Sequence, residues 1–195
     1  MNTDTTDNSG NELQGAFGDR GTNVNSMAYG HPNGQKIIDD CCEVLRQCET
    51  GRMLLVFYDK KQVPVHIMKG KGDSGFSPDM GTIIMQVPGN VKEMQPEHVI
   101  YLAKALHEAG QELAGFKAPE PGKDLIAYAS FIHGRNLDSM TEVCQMVKEL
   151  TNSSYFSVLL DSLTKLGFND FYKAYLNGAS RDELYTHYAN AYETI

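Results

Sequence analysis

The stretch "YLAKALHEAGQELAG", residues 101–115, sets how the middle of this chain is read. Taken with the preceding "PEHVI", it places Val99, Leu102, Ala103, Leu106, Gly110 and Leu113 at intervals of three and four. That period predicts an amphipathic helix, with one apolar face and a polar face that includes Gln111 and Glu112. Pro96 suits its first turn, where no amide donor is needed. "APEPG", 118–122, breaks the chain after it.

Upstream, Ile37, Ile38, Cys41, Leu45 and Cys48 recur at helical spacing after Pro32, and Gly51 reads as the stop. "MLLVFY" (53–58) and "VPVHIM" (63–68) read as two strands joined by the turn "DKKQ", with Pro64 favouring a sheet edge. "GTIIMQVPG" (81–89) reads as a third strand ending at Pro88. Downstream, the segments from Lys123, Ser139, Ser153, Asn169 and Ser180 read as separate helices. Gly134, Gly167 and Gly178 are placed to stop helices. Ser139 with Glu142 and Ser180 with Glu183 match the capping-box spacing. The fold class is therefore α+β: an N-terminal helix, a small three-stranded sheet, then a mostly helical C-terminal half.

The 195 residues carry a formal charge of −8 and show no basic footprint, which argues against nucleic-acid binding. No run of about 18 apolar residues predicts a membrane span, and the polar start is unlike a secretory leader. Residues 1–28, rich in Asn, Thr, Asp and Gly, read as a disordered or loosely docked arm; residues 29–195 form a single domain. "KGKGDSG", from Lys69, reads as a glycine-rich connection, since it matches no P-loop spacing. Cys41, Cys42, Cys48 and Cys144 include no CxxC pair and read as reduced core residues of a cytoplasmic protein. Tyr185, Tyr188 and Tyr192 share one helix face and are assigned to packing within the domain, with a partner surface as the other reading.

The chemistry-bearing feature is "HEAGQ", 107–111. In a helical His-Glu-x-x-His, residues four apart hold one zinc, and the glutamate activates metal-bound water. Here Gln111 stands at the second ligand position, and a neutral amide oxygen is a poorer zinc donor than imidazole. Glu142 has two readings, a capping carboxylate or a further ligand on a later helix. His133 is the leading substitute for the missing histidine, ahead of His98 and His187.

With these residues in view, the order helix, hairpin, strand, "HEAGQ" helix and later acidic helix resembles the small zincin-like metallopeptidases of bacteria over roughly residues 32–155. The resemblance implies a zinc site with His107 as first ligand, Glu108 as general base, Gln111 as altered second ligand and Glu142 as third. It implies an impaired or inactive hydrolase, a pseudoenzyme. The alternative is a non-catalytic module that binds a protein or peptide, for instance along the edge of "TIIMQV". A helical interaction module unrelated to the zincins is the third reading.

Overall fold

A computed structural model describes residues 31–70, 74–120 and 122–193, with the side chains of 192 and 193 left aside. The 1–28 arm, the centre of the glycine-rich connection and the side chain of Tyr192 thus lie outside the described residues. The architecture is α+β. In chain order it runs α1 (Gly34–Leu45), α2 (Glu49–Lys61), β1 (Val65–Lys69), β2 (Gly75–Ser77), β3 (Thr82–Val87), α3 (Pro96–Leu113), α4 (Leu125–Glu149), α5 (Phe156–Lys165), α6 (Asn169–Leu176) and α7 (Arg181–Glu193).

The expected first strand, "MLLVFY", is helical and belongs to α2. Gly51, Leu54, Leu55 and Tyr58 are buried while Met53 and Val56 are exposed, so its apolar run follows a helical period. Glu49 in the first turn and Lys60 and Lys61 in the last complement the helix dipole. Gly51 does not stop α1. It lies inside α2, where a Cβ would stand 2.2 Å from the Leu45 carbonyl oxygen, so glycine lets the two helices cross closely.

The expected hairpin is consequently absent, and the sheet is built differently. Its order is β1-β3-β2, with β1 parallel and β2 antiparallel to β3. β2 comes from the end of the glycine-rich connection. β1 is an edge strand, as Pro64 suggested, but "TIIMQV" is central and flanked on both sides. The edge proposed for peptide addition is therefore already paired with β1 and β2.

α3 is the hub of the fold and touches α1, α2, α4, α5, β2 and β3. Val99, Ile100, Leu102, Ala103, Ala105, Leu106 and Ala109 are buried, which is wider than a one-sided stripe. Its alanines leave room for elements on several sides. Pro96 is in its first turn, and Gln95 and His98 cap it reciprocally, with the Gln95 amide donating to His98 Nδ1 at 3.0 Å.

The segments from Lys123 and Ser139 merge into one helix, the 25-residue α4. Gly134 does not interrupt it, and its real N-cap is Asp124, whose carboxylate accepts from the Ala127 amide at 2.9 Å. Ser139 is mid-helix and donates to the Arg135 carbonyl, so it cannot form a capping box with Glu142. The box at Ser180 and Glu183 does form, and Gly167 and Gly178 take the positive φ expected after helices. Tyr188 is packed in the core against Phe168 and Phe171, while Tyr185 is exposed.

Candidate functional site

α3 and α4 run antiparallel side by side, with His107 opposite Ser139 and Glu112 opposite Arg135. This geometry assigns each residue of "HEAGQ" to a different neighbour, because successive helical residues turn by about 100°. His107 is half-buried and shares a hydrogen bond of 3.0 Å between its Nδ1 and Ser139 Oγ.

Glu108 faces the sheet. Only 3% exposed, it accepts from the Phe76 amide of β2 at 3.2 Å and is ion-paired with Lys104 one turn earlier. A Cβ at Gly75 would come within 3.2 Å of Glu108 Oε2, so glycine there admits the carboxylate to the strand backbone. Glu108 thus braces α3 against β2 and carries its own counter-ion. A general base needs a lone pair aimed at a water, whereas one Glu108 oxygen here faces an ammonium and the other a backbone amide.

Glu142 lies on α4 one turn beyond Ser139. Burial, followed by neighbouring charges that include Glu142, pushes the Tyr175 phenol of α6 up from its usual value. The substitute histidines have other surroundings: His98 caps α3, and His133 meets the Tyr185 ring edge-on at 6.3 Å. Among the described residues, no group of three His, Cys, Asp or Glu side chains is arranged to hold a metal ion. Within the motif, Glu108 thus faces the sheet and His107 the α3–α4 seam.

Gln111 leads elsewhere. Its Oε1 is buried and has no hydrogen-bond partner among the described residues. It lines a pocket of about 280 Å³ together with Phe116, Phe131, Arg135 and Arg181. The Arg135 side chain is 11% exposed, and its Nε and Nη1 also lack hydrogen-bond partners among the described residues. Glu112 Oε2 stands 3.6 Å from Nη1, an ion pair longer than a hydrogen bond. Arg181 at the start of α7 is ion-paired with Asp138 on the pocket wall.

Several apolar side chains at the end of α3 and the start of α4 are exposed. Leu113, Phe116, Leu125 and Ile126 are 50, 64, 70 and 80% exposed, and no residue from Leu125 to Asn136 is buried. Sequence reading passed over this end, although a signal was present. Residues 125–134, "LIAYASFIHG", hold no Asp, Glu, Lys or Arg, so that half of α4 lacks the charged face a surface helix ordinarily shows. Comparison with protein-family models, curated proteins and solved structures gives no match to this chain.

Proposed function

We propose that this chain is a non-catalytic binding module that docks a segment of another protein on the end formed by α3 and the first half of α4. The observation that carries this reading is the uncharged, unburied run from Leu125 to Ile132, adjoining Leu113 and Phe116. Exposed apolar side chains gathered along one helix are a feature of interaction sites. The Phe131 and Arg135 side chains on the same helix add an aromatic and a guanidinium, the groups that most often anchor interfaces.

The surroundings support the reading. Glu108, the residue a hydrolase would need, is held by Lys104 and β2. The four free, buried cysteines agree with a reducing, cytoplasmic setting. Among the described residues no helix is long and apolar enough to cross a membrane, and a protein segment rather than a bilayer is the proposed occupant.

A random peptide library displayed on phage and panned against the purified protein tests this. Selected peptides should slow amide exchange within residues 113–136, and Ile126→Asp should abolish their binding. Peptides that protect only other regions, or that bind the variant equally well, would overturn the proposal.

A further inference from the structure

Two enclosed histidines lie at the opposite end of α3 from the docking surface. His31, just before α1, is 1% exposed, and His98, in the first turn of α3, is 2% exposed. His31 uses both ring nitrogens. Its Nδ1 accepts from the Asn33 amide at 3.3 Å, and its Nε2 stands 3.3 Å from the Pro88 carbonyl oxygen just after β3. A carbonyl only accepts, so Nε2 carries the proton and Nδ1 the lone pair. His98 has the same polarity. Its Nδ1 accepts from the Gln95 amide at 3.0 Å, which leaves the proton of the neutral ring on Nε2.

We propose that His31 and His98 form an acid-released latch that joins the start of α1, the end of β3 and the N-terminus of α3. A further proton can enter either ring only at Nδ1, where it takes the lone pair that holds a backbone amide. Each protonation thus removes an acceptor and places a charge in a closed site. Histidine in water binds a proton at about pH 6.5. The opened rings therefore take up protons for which the closed ones have no place, and acid favours the open form. The latch is complete above that pH and is lost as pH falls below it.

Its surroundings fit this role. Burial, the largest influence, lowers the His98 pKa; Glu97 on the same helix opposes the effect and His31 adds to it. Lys36 of α1 is paired with Asp40 and attracted by Glu93 in the β3–α3 connection. The two amides held by the rings also matter beyond themselves. Asn33 is the N-cap of α1, and its carbonyl accepts from the Ile37 amide at 3.0 Å. Gln95 is the N-cap of α3, the hub of the fold. Opening the latch loosens both helix starts at the point where the residues before 31 join the fold.

Hydrogen exchange of the full chain, followed by NMR from pH 7 to pH 5, tests the proposal. Two protons taken up on opening lower protection by up to about a hundredfold per pH unit. Protection factors at the Asn33 and Gln95 amides should fall together, by more than about tenfold per unit, while Ile83 and Val143 remain protected at pH 5. His31→Asn keeps an acceptor for the amide two residues on, and His98→Gln keeps the capping acceptor. Either change should reduce the dependence to about tenfold per unit or less, and both together should flatten it. Should a variant fail to fold, the ring nitrogen signals of the unaltered protein decide. Both rings should hold the Nε2–H tautomer at pH 7 and gain the Nδ1 proton only as the two amides lose protection. Protection independent of pH, an unchanged slope in the double variant, ring protonation with the amides still protected, or simultaneous loss at Ile83 and Val143 would overturn the latch.

Discussion

The two halves of α4 are parts of one continuous helix with opposite surroundings. From Leu137 onward it supplies Met140, Val143, Cys144, Met146 and Val147 to the core, and its end is tied to α2 by Glu149, which accepts from the Thr50 amide and hydroxyl at 2.8 Å each. Before Leu137 no residue is buried, although the sequence there is just as apolar. Hydrophobicity thus made both halves helical but gave only one of them a place in this chain's core. The same division runs along α3, whose body is enclosed while Leu113 at its end is exposed.

The largest effect is expected in the enclosed region, at Glu108. Glu108→Ala strands the Lys104 ammonium and the Phe76 amide, and loss of one partner from a buried ion pair costs about 3–5 kcal/mol. Urea unfolding measures it, and a change under about 1 kcal/mol would mean that the brace is dispensable. Next comes a contrast within α4. Met140→Ala should cost about 2–5 kcal/mol, whereas Ile126→Ser, at a position 80% exposed, should stay within about 0.5 kcal/mol of the parent. Equal losses at the two sites would erase the distinction between the halves.

The enclosed region should also respond to pH through His98. Burial, the largest influence, holds its pKa below the usual 6.5, with Glu97 opposing and His31 assisting. The unfolded chain then takes up the proton first, so the stability contribution present above pH 6.5 is lost as pH falls from 6.5 through the folded-state value. Melting temperatures from pH 7 to 5 should fall more steeply for the parent than for His98→Gln, which keeps a capping acceptor at that position. Parallel curves would remove His98 as the cause. A shift of the opposite sign is expected in the exposed half. Gly134→Ala should stabilise by about 0.5–1 kcal/mol, because a Cβ there meets Arg181 Nη2 at an ordinary 3.6 Å inside a continuous helix. A loss would show that the helix needs glycine at that point.

Much of the architecture was legible because it depends on local chemistry. Pro96, the spacing from Val99 to Leu106, the Ser180–Glu183 box and the glycines at 167 and 178 act within one or two turns, and each appears in the fold as read. "MLLVFY" misled because six apolar residues fit a buried strand or a helix equally well, and only the longer interval from Gly51 to Tyr58 separates the two. Gly134 misled because a glycine can end a helix or sit within one, at a cost that the packing of Arg135 and Leu137 can offset.

The site was less legible. "HEAGQ" carries the letters of a metal helix, but the role of each letter depends on its neighbour in space: β2 for Glu108, Ser139 for His107 and the pocket for Gln111. β2 is three residues long and emerges from a glycine-rich connection, so no strand signal announced the partner of Glu108. Arg135 was visible only as the residue beyond Gly134. Its importance comes from facing α3 across an antiparallel seam that sequence alone does not register.

The account turns on whether the "HEAGQ" helix is a brace or a metal site, and thermal unfolding with and without zinc decides this directly. A ligand bound only by the folded state raises the melting temperature, and more so the tighter it binds. The expected result is that zinc leaves the melting temperatures of the parent and of His107→Ala unchanged, while Glu108→Ala melts lower in both conditions. A zinc-dependent rise in the parent that disappears in His107→Ala would contradict the account and restore the metal centre.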